Sequence, residues 1–251
     1  MPTLFWDIET RSAVNLRDCG AYVYAIDPTT EPLCIAYAVD DDDVQLWMPT
    51  DPVPSAFVDI AADPESSNLV AHNYDFERAI LENVLVPRFH FPPIAQHVQH
   101  CTQRLALANA YPAELDPLAQ ALGLPYRKDP VARKAMLAVS RPKANRKRNA
   151  TTIPTWDEDP EKLKLLYERC KLDVITTRAV WLSPKLKPLS ETERRHQLQD
   201  LAVNGRGIRL DRAFATAGRD LAINERTAIG LKLQELTHGT ITRPAGSASY
   251  S

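Results

Sequence analysis

The chain has 251 residues, 44% of them hydrophobic, enough for one domain of ordinary size with an ample core and a small appendage. Thirty basic residues against 32 acidic ones exclude a global pull toward polyanions, so any grip on nucleic acid has to come from a local patch or a bound metal. Four cysteines without C-x-x-C spacing, no apolar run of membrane-spanning length and no charged-then-apolar leader lead us to expect reduced thiols, no membrane partner and a cytoplasmic protein.

The run Leu4 to Thr10 reads as a strand, and period-two alternation sends Asp7 and Glu9 out of the same face. Two acids so placed repel each other unless a cation lies between them, and a hard divalent ion is the usual solution; two solvated acids at a strand edge are the plainer one. Arg11 to Asp27 reads as a polar connection. Leu33 to Val39 and Val44 to Met48 are strand-like, and the four aspartates Asp40 to Asp43 between them read as a solvated hairpin turn rather than a metal site. Pro54 to Ala62 is a short helix, and Asn68 to Ala71 a fourth strand leading into a helix over Asp75 to Leu85. A meander followed by alternating helices and strands predicts an α/β mixed sheet flanked by helices.

Cys101 to Gly123 reads as two helices, with Asp116 as the N-cap of the second. His90, His97, His100 and Cys101 match no closed zinc spacing. The one basic concentration runs from Arg127 through Arg133 and Lys134 and again from Arg141 to Arg148, either a contact for single-strand phosphates or a solvated loop. Pro160-Glu161-Lys162 opens a helix whose Leu163, Leu166, Cys170, Val174 and Thr177 repeat at helical spacing, with Asp173 among them. Pro184 to Pro188 is a linker; Ser190 to Glu193 caps a helix to about Val203, Asn204 to Asp211 reads as turn, short strand and N-cap, and a long helix follows to about Leu236. The small, aperiodic tail Arg243 to Ser251 predicts a frayed end and an exposed apolar face on the helix before it.

Taken together, Asp7-Ile8-Glu9-Thr10, His72-Asn73 through Glu77 and the helix bearing Asp173 form an ordered set of three motifs. In that order and at those separations the chain resembles the 3′→5′ exonucleases of the DEDD superfamily, specifically the proofreading domain of phage-like family A DNA polymerases. The resemblance implies a ribonuclease-H-like (DnaQ-like) fold, with an exonuclease domain over 1–184 and a C-terminal helical appendage over 185–251 that resembles the start of a polymerase module, whose later motifs have no room here: a truncation on this reading. It implies that Asp7, Glu9, Glu77 and Asp173 hold two magnesium or manganese ions for phosphodiester hydrolysis. The second motif's register selects Glu77 over Asp75, which lies about 200° away around the helix and suits an N-cap. Thr10, His72 and Asn73 match positions that touch the terminal nucleotide, although His72 reads equally as a satisfied histidine at a strand end.

The sequence departs from the family at one place. Four residues before Asp173, where the tyrosine subtype keeps its water-orienting tyrosine, stands Arg169; five before, where the histidine subtype keeps its base, stands Glu168. Arginine cannot accept a proton at neutral pH. Glu168 is then a substitute base, or Arg169 a clamp on the scissile phosphate. The expected partner is single-stranded DNA or a primer 3′ end, with a polymerase on a separate chain; the alternative is a non-catalytic nucleic-acid-binding or polymerase-accessory module on the same fold.

Overall fold

The structure is a computed structural model that describes residues 1–126, 129–143 and 154–241. Strand β1 (Thr3–Arg11) lies in the middle of a five-stranded sheet. It pairs antiparallel with β2 (Glu31–Val39), which pairs antiparallel with β3 (Gln45–Trp47). On its other side β1 pairs parallel with β4 (Asn68–Ala71), and β4 parallel with β5 (Gln99–Cys101), giving the order β3-β2-β1-β4-β5. The sheet is mixed and flanked by helices, compatible with the expected ribonuclease-H-like architecture.

Alternation along β1 divides two cores. Leu4, Trp6 and Ile8 face one side, where Trp6 meets Phe57 edge-on at 5.5 Å and Phe57 meets Phe91 at 5.1 Å. Phe5 faces the other with Cys34, Ala36, Ala38 and Val70, all at most 1% exposed. The small side chains at 34, 36 and 38 let a helix come close to the sheet there.

The connection after β1 departs from the sequence reading. It contains α1 (Leu16–Ile26), started by Asn15, whose side chain accepts from the Arg17 N–H. Gly20, at φ 77° and ψ 166°, breaks the helical backbone in two, which is why no helical period shows in the sequence. Helix α2 (Ser55–Ala62) is as expected. Asp40 to Asp43 form a turn: Asp40 has φ 47°, its side chain accepts from the Thr3 N–H at 2.9 Å, and Arg178 donates to the Asp40 and Asp42 carbonyls.

Helix α3 (Tyr74–Ile80) continues through a π-helical stretch, Leu81–Leu85, into α4 (Val86–Phe89). Pro87 has no N–H to offer the preceding turn, and a widened turn accommodates its ring. Asp75 is not an N-cap. Asn73, in the left-handed region at φ 61°, makes the entry turn, while Asp75 falls inside the first turn and pairs with Arg104 at 2.9 Å. Helix α5 (Thr102–Ala108) precedes α6 (Leu115–Leu122), and Asp116 is not an N-cap either: it lies within α6, which Pro117 permits to begin at Leu115 because a first-turn proline forfeits no helical bond. Helix α7 (Pro130–Val139) carries Arg133 and Lys134 of the basic run; Arg127, Lys128 and residues 144–148 lie outside the described residues.

Helix α8 (Pro160–Trp181) is capped by Asp159, which accepts from the Glu161 N–H. It buries Leu166, Cys170, Val174 and Val180, all at 0% exposure, and Cys170 and Val174 meet the small-residue face of β1, β2 and β4.

The chain divides into two compact units, Met1–Leu201 and Ala202–Ser251. Ser190 and Glu193 form a reciprocal capping box, side chain to backbone in both directions, at the start of α9 (Glu191–Arg206). That helix runs to Arg206, past Val203, and 207–210 is irregular instead of a strand, with no neighbouring strand to pair with among the described residues. Asp211 caps α10 (Arg212–Leu236) by accepting from the Phe214 N–H. Phe214 is 79% and Leu236 77% exposed, the apolar exposure expected on this helix; the frayed end expected over 243–251 lies outside the described residues. Among the described residues no helix is long and apolar enough to cross a membrane.

Candidate active site

Register places the first two acids. Asp7 pairs across from Ala36 and Glu9 from Cys34, so both project to the face that α8 covers. On α8 the residues that look back at β1 are Arg169 and Cys170 and, one turn on, Asp173. Carboxylate oxygens of Asp7, Glu9 and Asp173 lie within 4.8 Å of one another, the one such group of potential metal ligands among the described residues. Cys170 holds the first of them, its Sγ donating to Asp7 Oδ2 at 3.4 Å and to the Asp7 carbonyl at 3.5 Å. Sequence reasoning placed Cys170 in the core only; nothing in its spacing marks a carboxylate partner.

Glu77 approaches from the other side. Because β4 runs parallel to β1, the turn after Ala71 emerges at the same end of the sheet as Glu9, and α3 starts there. Glu77 is 4% exposed, and its Oε2 has no hydrogen-bond partner. Burial first, then the negative charge of Asp7, pushes its pKa well above the usual carboxylate range. It belongs to the electrostatic neighbourhood of Asp7 and Glu9 but stands outside the tight group of three.

Arg169 is drawn into the cluster. Its Nε is 3.5 Å from Glu9 Oε1 and its Nη2 3.7 Å from Asp173 Oδ2, with the side chain 12% exposed. Glu168 turns away: it is 64% exposed and pairs with Lys171 at 3.0 Å. Of the remaining nominated residues, Thr10 and His72 are held from within. Thr10 Oγ1 is 2.9 Å from the Tyr24 hydroxyl, and burial pushes the pKa of that tyrosine up to about 12. His72 donates from Nε2 to the Ala113 carbonyl at 3.0 Å and has its Nδ1 2.9 Å from Thr102 Oγ1, the geometry of a histidine satisfied at a strand end. Asn73 is exposed at the entry to α3.

A cavity of about 550 Å³ opens beside Glu9 and Thr10. Phe76, Tyr24 and Met136 supply apolar wall, and Arg17, Arg133 and Arg141 supply charge. Two of these arginines belong to the basic run seen in the sequence. Arg17, Tyr24 and Met136 were not foreseen, since they come from α1 and α7, whose side chains follow no pattern that singles them out.

The donor set is all hard oxygen, closely spaced, with an orphaned buried carboxylate oxygen nearby, which fits magnesium or manganese. No protein-family model matches the chain. The chain is 33% identical over 216 residues to the DNA polymerase of Bacillus phage SP02, an alignment that takes in 84% of this chain and 32% of that protein. The chain thus spans about a third of the length of the curated relative it matches.

Proposed function

We propose that the chain is a metal-dependent 3′→5′ exonuclease that hydrolyses single-stranded DNA from its 3′ end, as in proofreading. The observation that carries this reading is the convergence of Asp7, Glu9 and Asp173 within 4.8 Å, with Glu9 also lining a cavity walled by arginines and aromatic rings. A binding module has no use for three carboxylates facing a phosphate backbone, because they repel it. Similarity to a phage DNA polymerase supports DNA as the polymer and a polymerase as the partner that delivers the primer end.

Asp7, Glu9 and Asp173 would hold the divalent ion or ions, with Glu77 completing the set. Bound there, the metal supplies Lewis acidity that sharpens a water nucleophile and neutralises developing charge on oxygen. The chain's own share is positioning. Phe76, Tyr24 and Met136 offer a surface on which a terminal base can stack, and Arg133 and Arg141 counter the phosphates. Cys170 fixes the rotamer of Asp7, so its oxygens are preorganised before metal arrives. Glu168 is not placed to act as a base, since it faces solvent.

One observation favours the second reading, a non-catalytic nucleic-acid module: Arg169 brings positive charge into the carboxylate cluster. A 5′-labelled single-stranded oligonucleotide separates the two. The exonuclease gives a 3′-end ladder with magnesium or manganese, none in EDTA, and a loss on the order of 100-fold or more in Asp7→Ala. Tight binding without any ladder from the natural protein in either metal would leave the accessory module standing.

A further inference from the structure

We propose that the guanidinium of Arg169 is a built-in cation of the carboxylate cluster, standing where a second divalent ion would otherwise bind, so that the protein takes up one divalent ion per chain. This rests on the metal-dependent reading above and refines its ion count.

Arg169 does not lean over the site from the surface. Its side chain is 12% exposed and rises from α8 one turn before Asp173, so the helix itself fixes where the head group goes. That head lies between Glu9, 3.5 Å from Nε, and Asp173, 3.7 Å from Nη2. Two of the three clustered carboxylates already face a permanent cation, since an arginine keeps its proton at any ordinary pH.

Charge sets the count. Asp7, Glu9 and Asp173 against one guanidinium leave two negative charges, which a single divalent ion balances. A second ion would make the pocket cationic even if Glu77 were ionised, and would have to displace an arginine that is nearly buried.

The hydrogen bonds tell the same story. Nε and Nη1 of Arg169 are buried and have no hydrogen-bond acceptor, the ion-pair distances being long for one. Buried donors of this kind are normally paired. Facing a cluster that we read as the seat of phosphodiester hydrolysis, they suit a phosphate oxygen, the same oxygen that a second metal ion would neutralise. Arg169 thus supplies both the charge and the contact of the ion it replaces.

The test is a titration of the full, metal-stripped chain with Mn²⁺, following heat and the electron paramagnetic resonance signal of free Mn²⁺. The natural protein and Arg169→Lys, which retains the charge, are expected to bind one ion per chain. Arg169→Met, which keeps the stem and loses the charge, is expected to bind two, with Arg169→Gln in its place if the methionine variant does not fold. Two ions on the natural protein, or a single ion on a neutral variant whose circular dichroism is unchanged, overturns the proposal while leaving the nuclease reading intact. No Mn²⁺ on any of these chains, in a protein that binds single-stranded DNA in EDTA, overturns both.

Discussion

Glu77 is a carboxyl kept out of water with one oxygen unpartnered, and this arrangement has a thermodynamic signature. Its pKa is raised in the folded state, so the stability linked to it is present in full below the unfolded value near 4.5 and is lost as pH rises through the folded one. Glutamine mimics the protonated form. In EDTA at alkaline pH, Glu77→Gln is expected to melt higher than the natural protein and to gain less from added Mn²⁺. A differential scanning experiment with and without metal reads both effects. His100 has the opposite linkage. Its ring lies tilted against that of Trp181, centroids 5.2 Å apart, and burial, with help from the Arg194 charge, lowers its pKa to about 4. The unfolded chain binds that proton near pH 6.5, so stability is complete above pH 6.5 and falls as pH drops toward 4, by up to about 3 kcal/mol. Urea midpoints at pH 7.5 and pH 5 should differ in the natural protein and differ less in His100→Phe, which keeps a ring against Trp181.

At the scale of elements, legibility followed the regularity of the backbone. β1 and α8 were readable because each has an unbroken period, two on the strand and a helical repeat of Leu166, Cys170 and Val174, and their readable faces carry Asp7, Glu9 and Asp173. β4 was readable to the residue. The helix α1 was not, because Gly20 interrupts it, and neither was the π-helical turn, which depends on how Pro87 resolves its missing donor. Asp75 and Asp116 illustrate a different gap: whether an acid caps a helix or sits in its first turn is decided by one residue of register, which a left-handed Asn73 or a tolerated Pro117 can shift. The walls of the cavity were illegible for a third reason. They assemble from α1, α3 and α7, joined only by the tertiary fold. The seam between α8 and the sheet depends on small residues, which gives a direct prediction. Ala36→Leu, placed beside Asp7 at 0% exposure, should cost about 1–3 kcal/mol in urea unfolding and weaken Mn²⁺ binding by moving α8 off β1.

Across the whole molecule, the described chain is two units of unlike character. Met1–Leu201 contains the sheet, the acid cluster and the cavity. Ala202–Ser251 contains α10, on which Phe214 and Leu221, seven residues apart and so on one helical face, are 79% and 63% exposed. Exposed apolar side chains in that arrangement promote self-association. The double variant Phe214→Ser, Leu221→Ser should scatter less light at high concentration while its oligonucleotide assay is unchanged. The first unit has a further property that follows from the Cys170 to Asp7 hydrogen bond, which joins residues 163 positions apart. Closing so long a loop is entropically late, and on a ribosome it is physically impossible until α8 has left the exit tunnel. The strand made first therefore waits, its two acids uncompensated, for nearly the entire unit to be synthesised. A nascent or prematurely ended chain therefore carries Asp7 and Glu9 without Asp173, and on the nuclease reading proposed above the fold itself times when the metal site can form.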